Sequence, residues 1–148
     1  MEKKIILLVD DETEILTILK NFCSGFCDEV HTAENGQAAL EILENHSIGC
    51  IVSDIKMPEM SGVELLEYVR EKELETPFIF LSGFGNEDHI KNATMLGAFD
   101  FFYKPLINTE PLKEAIIHAF ERNQNNLDGL KSEHDKLVRE FNCLLEKK

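Results

Sequence analysis

Short apolar runs alternate with amphipathic stretches five times along this chain, and that alternation limits the fold more than any other feature. Ile5 to Val9 is five apolar residues in a row, which suits a strand buried on both faces. From Thr13 the period changes, with Ile15, Leu16, Ile18, Leu19 and Phe22 at helical spacing. Gly25 is a helix terminator there. Glu29 to Ala33 reads as a second strand, Asn35-Gly36 as a turn, and Gln37 to Asn45 as a second helix. Ile48 to Ser53 is a third strand, followed by a helix over about Val63 to Lys72. Phe78 to Leu81 and Phe99 to Tyr103 are strands four and five, separated by a weaker fourth helix over Glu87 to Leu96 that Gly97 closes. A fifth helix begins near Thr109, its N-cap, with Pro111 in the first turn. Strand then helix, five times over with short links, means a doubly wound α/β fold: a parallel sheet covered on both faces with right-handed crossovers.

Such a sheet gathers the carboxyl ends of its strands on one edge, where ligands bind. Strand one ends in Asp10 and Asp11, strand three in Asp54, strand four in Ser82 and strand five in Lys104. Three carboxylates in one cleft repel each other unless a cation neutralises them or their pKa values rise. Oxygen donors with open positions suit Mg²⁺, which keeps several waters and often bridges to a phosphate. Lys104 would add a point charge, Ser82 a hydroxyl donor, and Asp54 a carboxylate nucleophile. That set is sufficient for making an acyl phosphate on Asp54, because phosphoryl transfer asks mainly for positioning and charge stabilisation. Each residue has a plainer reading alone. Asp10 and Asp11 would also favour a helix dipole, and Ser82 would serve a turn.

The formal net charge of -13 is concentrated in the first part of the chain. Through Glu121 there are 9 Lys and Arg against 23 Asp and Glu; from Arg122 onward there are 6 against 5. An acidic globular part argues against direct contact with nucleic acid or an anionic membrane. No apolar run approaches the roughly 18 residues of a membrane span, and the charged start is unlike a signal peptide. Cys23, Cys27, Cys50 and Cys143 form no disulfide framework and no CxxC pair. Cys23 and Cys27 fall on one helical pattern, and reduced cysteines in a cytoplasmic protein are expected. The five histidines lie on different elements, none with a partner at ligand spacing.

Taken together, the segments Leu8-Val9-Asp10-Asp11-Glu12, Asp54 through Gly62, Leu81-Ser82-Gly83 and Gly97 through Pro105 resemble a response-regulator receiver domain of two-component signalling, chemotaxis-regulator-like. The likeness covers residues 3 to about 122. It implies a flavodoxin-like (βα)5 fold with strand order 2-1-3-4-5 and a non-enzymatic switch that catalyses only its own phosphorylation and dephosphorylation. It implies that Asp54 takes a phosphoryl group from a histidine kinase or a histidine phosphotransfer protein. Mg²⁺ would be held by Asp10, Asp11, Asp54 and the backbone carbonyl of Lys56, and the phosphoryl group by Ser82 and Lys104. Phe101 falls at the family's switch aromatic, moving inward when Ser82 moves toward the phosphate; as phenylalanine it lacks the hydroxyl of the tyrosine often found there. Lys56 and Phe84 occupy the positions that set phosphate lifetime, and both are bulky enough to impede an attacking water. A phosphate carrier in a phosphorelay is the alternative function, and a phosphatase with an aspartyl intermediate a more distant one.

Residues 1–122 are therefore expected to form the receiver domain and 123–148 a C-terminal helical extension. From Ile116 the positions Phe120, Asn123, Leu127, Leu130, His134, Leu137, Phe141 and Leu144 step by four and three, a heptad pattern with two polar positions. A coiled-coil homodimer through residues 116–145 is expected from it, although Gly129 weakens the middle by about 1 kcal/mol relative to alanine. No DNA-binding domain is expected to follow, and the downstream partner is not named by any motif.

Overall fold

The computed structural model describes residues 3–72, 74–83, 97–105 and 107–122. Five parallel strands form one sheet in the order β2-β1-β3-β4-β5. They are β1 (Ile5–Val9), β2 (Glu29–Ala33), β3 (Cys50–Ser53), β4 (Phe78–Ser82) and β5 (Asp100–Tyr103). The helices are α1 (Thr13–Cys23), α2 (Gly36–Asn45), α3 (Gly62–Glu71) and one over residues 110–122. The doubly wound fold and its strand order are as the sequence implies. The expected fourth helix over Glu87 to Leu96 and the tail from 123 onward lie outside the described residues. Among those described, no helix is long and apolar enough to cross a membrane.

The apolar runs form the centre of the sheet because they can be buried on both faces. Residues of β1, β3 and β4 alternate between two cores. Leu7, Val9, Ile51, Phe78 and Phe80 face the core shared with α2 and α3. Ile6, Leu8, Cys50, Val52, Ile79 and Leu81 face the other core, with Leu16 and Leu19 of α1 and Leu112, Ile116 and Phe120 of the 110–122 helix. The edge strands β2 and β5 are only partly buried.

Element ends follow local chemistry. The Asn35 side chain accepts from Ala38 N at 2.8 Å, and the Ser61 hydroxyl accepts from Glu64 N at 3.1 Å, capping α2 and α3. These caps start both helices at glycine, one residue earlier than the apolar pattern indicates. Ladder pairing shortens two strands: β3 begins at Cys50 rather than Ile48, and β5 at Asp100 rather than Phe99. α1 ends at Cys23, before Gly25, so Cys27 lies beyond the helix rather than on it. The 110–122 helix follows Thr109, whose carbonyl accepts from Lys113 N at 3.0 Å, while Asn108 Oδ1 accepts from Glu110 N at 3.1 Å.

Gly62 holds the start of α3 against the end of β3. Its N–H donates to Ile55 O at 2.7 Å, and a Cβ added there would run into the carbonyl of Asp54 and the Phe80 ring. Alanine ordinarily favours a helix over glycine by up to about 1 kcal/mol. Gly62→Ala is expected to do the reverse and destabilise by roughly 2 kcal/mol, the cost of overpacking a tight site. A urea titration that finds the variant as stable as wild type would disprove this contact.

Candidate functional site

Single hydrogen bonds beyond the strands fix the backbone of the chemically important residues. Asp10 N donates to Ala33 O at 3.1 Å, Asp54 N to Val9 O at 3.0 Å and Lys104 N to Ser82 O at 3.0 Å. Each extends a ladder by one residue and sets its side chain at the carboxyl edge. The predicted residues do converge. Carboxylate oxygens of Asp10, Asp11 and Asp54 lie within 4.8 Å of one another. Lys104 Nζ stands between two of them, 2.7 Å from Asp10 Oδ2 and 3.2 Å from Asp54 Oδ2. The Lys104–Pro105 peptide is cis.

The second oxygen of each buried carboxylate is bonded to the backbone. Asp10 Oδ1 accepts from Glu12 N at 2.9 Å, and Asp54 Oδ1 from Ile55 N at 2.7 Å. Both carboxylates therefore have a fixed orientation, with Oδ2 turned to Lys104. Asp10 and Asp54 are buried and Asp11 is exposed. A cleft of about 490 Å³ opens over them, lined by Asp11, Asp54, Lys56, Ser82 and Lys104 among others. Ser82 is buried at the end of β4, opposite Tyr103 in the ladder. Met57 and Pro58 bound the cleft, and the residue after them, Glu59, lies in the left-handed region at φ 67°.

Phe101 is half-buried and stacks on Phe80, with centroids 5.1 Å apart at 26°. Phe80 in turn contacts Phe78 and abuts Gly62 beside Asp54. Sequence reasoning missed this chain of contacts. It also missed the Ser53 hydroxyl, which donates to Asp54 O at 2.8 Å inside the core. Phe84 lies outside the described residues. The histidines are less separate than their spacing suggested, since the rings of His31 and His46 meet with centroids 4.3 Å apart.

Burial raises the Asp10 carboxyl above its ordinary value, and the nearby Asp54 charge adds to the effect. The hydrogen bonds from Lys104 and Glu12 N and the Lys104 charge offset only part of it. Burial would lower Lys104, but hydrogen bonds and charges from Asp10 and Asp54 outweigh it and the ammonium is raised. The two partners differ because Asp10 is nearly inaccessible to water while Lys104 keeps more exposure. A crowded, all-oxygen donor set that resists its own negative charge fits a hard divalent cation such as Mg²⁺.

The raised carboxyl has a consequence for stability. A folded-state pKa above the unfolded one favours folding at low pH. That contribution is lost as pH rises from the ordinary aspartate value of 3.8 through the folded value. In metal-free buffer, Asp10→Asn should raise the urea midpoint at neutral pH and flatten the decline in stability above the ordinary aspartate range. An unchanged midpoint and slope would show that ionised Asp10 carries no such cost. Lys104 acts in the opposite range: its contribution holds at neutral pH and fades only above the ordinary lysine value.

A family model described as the response regulator receiver domain matches residues 6–117. The transcriptional regulatory protein SrrA of Staphylococcus aureus (strain NCTC 8325 / PS 47) is 32% identical over 139 residues, covering 94% of this chain. This chain spans 57% of that relative's length. Among solved structures, a response regulator receiver domain protein from Clostridium thermocellum has a TM-score of 0.75 and 32% identity, over 81% of this chain and 96% of that one. A CheY-like receiver domain protein from Methanospirillum hungatei JF-1 has a TM-score of 0.79 and 29% identity, over 84% of this chain and 99% of the other. Fold, sequence and the edge on which the charges gather thus agree, and the chain belongs to the response regulator receiver domain family of two-component systems.

Proposed function

We propose that this chain is a phosphorylation-dependent signalling switch that accepts a phosphoryl group on Asp54 from a histidine kinase or histidine phosphotransfer protein. The observation that carries the reading is the placement of Lys104 Nζ between Asp10 and Asp54 at the mouth of a cleft that also reaches Ser82. Asp54 Oδ1 is occupied by Ile55 N, so Oδ2 is the nucleophile. It attacks phosphorus as the bond to the donor nitrogen breaks; the donor ring, protonated on its other nitrogen, leaves as neutral imidazole, and an acyl phosphate remains on Asp54. Lys104 already faces that oxygen, so its ammonium follows the charge onto the phosphoryl group with little rearrangement. The Ser82 hydroxyl donates to a phosphoryl oxygen. Asp10, Asp11, Asp54 and the Lys56 carbonyl would hold Mg²⁺, which would supply charge neutralisation for the incoming group.

Signalling then follows from unequal stabilisation. The phosphoryl group contacts Ser82 and Lys104 better in one conformation and shifts the population toward it. Ser82 and Phe101 are the switch pair, and the Phe80 stack links Phe101 to the Asp54 end of β3. The altered surface comprises the fourth helix, β5 and the 110–122 helix. Residues 1–122 are the receiver domain in this reading. Residues 123–148 are a helical extension that carries the change to a downstream protein or, through residues 116–145, to a second copy. The protein acts in the cytoplasm, where kinase domains and reduced cysteines are found. Lys56 and Phe84 shield the acyl phosphate from water and lengthen its life.

With Mg²⁺ and a small phosphoryl donor, wild type should gain the mass of one phosphoryl group, and chelation should prevent it. Asp54→Asn should gain none. Lys104→Met should be slowed by about 10²-fold or more, the size typical for losing one pre-placed charge at the reacting group. Equal labelling of Asp54→Asn would sink the assignment. Light scattering on the same samples tests the extension: a monomer in both states rules out the homodimer.

A further inference from the structure

Three sulfurs gather toward the other end of the sheet. Cys23 is the last residue of α1, Cys50 is the first of β3, and both are fully buried. Cys27 is half-buried and packs against the same apolar core. Past Cys23 the chain makes one more α-turn, in which Cys27 N donates to Cys23 O at 2.8 Å. Such a turn sets the two Cα atoms about 6 Å apart, within the span of a disulfide. It also brings both side chains to one side, so that each thiol acts on the titration of the other.

That contact gives the two sulfurs opposite characters. The hydrogen bond from Cys23 lowers the Cys27 thiol, and the Lys4 ammonium favours the same thiolate, against burial and the Asp28 charge. The same hydrogen bond raises Cys23, and burial raises it further. Lys4 is held near this turn: its backbone N–H donates to Asp28 Oδ2 at 2.7 Å, and its carbonyl accepts from Asp28 N at 2.9 Å. The more accessible sulfur is thus the better nucleophile, and its neighbour is a buried, retained thiol one α-turn away.

We propose that Cys27 and Cys23 form a peroxide-reactive dithiol, a modification site separate from the phosphoryl cleft, in which Cys27 meets the oxidant and Cys23 resolves it into a disulfide. The Cys27 thiolate attacks one oxygen of a hydroperoxide. An S–O bond forms, the O–O bond breaks, and the departing oxygen takes a proton and leaves as an alcohol or water. Cys27 is then a sulfenic acid, oxidised by two electrons. Cys23 attacks that sulfur, an S–S bond forms, and the hydroxyl leaves as water with the Cys23 proton. The net change is two thiols and one hydroperoxide to one disulfide, one alcohol and one water. Cys50 is buried within the sheet and takes no part.

The test uses the full chain and hydrogen peroxide, read by intact mass and peptide mapping. Wild type should lose two hydrogens, about 2 Da, with Cys23 linked to Cys27 in one chain, and a thiol reductant should reverse it. Cys23→Ser should stop at a sulfenic acid on Cys27 that a dimedone-type probe traps. Cys27→Ser should slow peroxide consumption at least about tenfold, and Cys143→Ser should behave as wild type. A Cys27–Cys50 link, disulfides only between chains, an unreacted wild type, or Cys27→Ser reacting at the wild-type rate would each overturn the proposal. Mapping the wild-type link directly makes the result independent of how well the variants fold.

Discussion

The ammonium of Lys104 wedged between Asp10 and Asp54 is the contact on which the rest of the carboxyl edge depends. Two carboxylates buried this deeply cannot both be ionised cheaply in a medium of low effective dielectric. The response of the structure is uneven: Lys104 gains from the pair, whereas Asp10 still carries a cost from burial. Its geometry is held by backbone rather than by side chains, through the bonds that extend β1, β3 and β5 one residue past their ends. Because those bonds belong to the sheet, the cluster stays assembled only while the five strands keep their register. The fold keeps the charges close, and the closeness leaves a net demand for positive charge that a divalent cation would answer.

Most of that edge was legible in the sequence because a buried parallel strand marks itself twice. Its apolar run is continuous, and the polar residue that ends the run is where the chain leaves the core. Asp10, Asp54 and Ser82 could be found that way, and Lys104 by its place after a shorter run. The strand order came from family likeness, since periodicity does not rank strands. What stayed hidden depends on neighbours distant in sequence. Gly49 shows the reason: its N–H bonds to Ile5 O, but the Phe120 ring lies 2.9 Å from where its Cβ would be, so it reads as a weak strand residue while serving as a packing seat. The Phe80–Phe101 stack, the Gly62 contact with Asp54 and the Ser53 hydroxyl are of the same kind. No pattern along the chain encodes them.

Cysteine spacing failed for a different reason. Cys23 and Cys27 are four residues apart and share one helical period, which sets them on one pattern although Gly25 between them marks a helix end. The helix instead ends at Cys23, and the residues after it fold into separate turns, with Phe26 N and Cys27 N both donating to Cys23 O. Phe26 lies edge-on to Phe22 and under Lys113 of the 110–122 helix. The thiol pair therefore sits in a turn pinned to the last described helix.

The overall charge of the protein explains why the phosphoryl-binding charge must be local. A net charge of -13 repels an anionic donor at long range. Ionic screening confines that repulsion to about 8 Å at physiological salt, so what a donor phosphate meets inside the cleft matters more than the sum over the surface. There the approaching group faces three carboxylates and one lysine, an arrangement that is unfavourable until further positive charge is present. In the proposed reading, acceptance of phosphate is therefore gated by occupancy of the acidic trio. Once attached, the phosphoryl group adds negative charge at the point where Lys104 is already committed to Asp10 and Asp54. Lys104 cannot serve all three equally. In the proposed reading, a shift of its ammonium toward the phosphate changes the load on the end of β5, and Phe101 lies on that strand, stacked on Phe80. On the proposed function, competition for one ammonium would couple chemistry at Asp54 to the strand that carries Phe101.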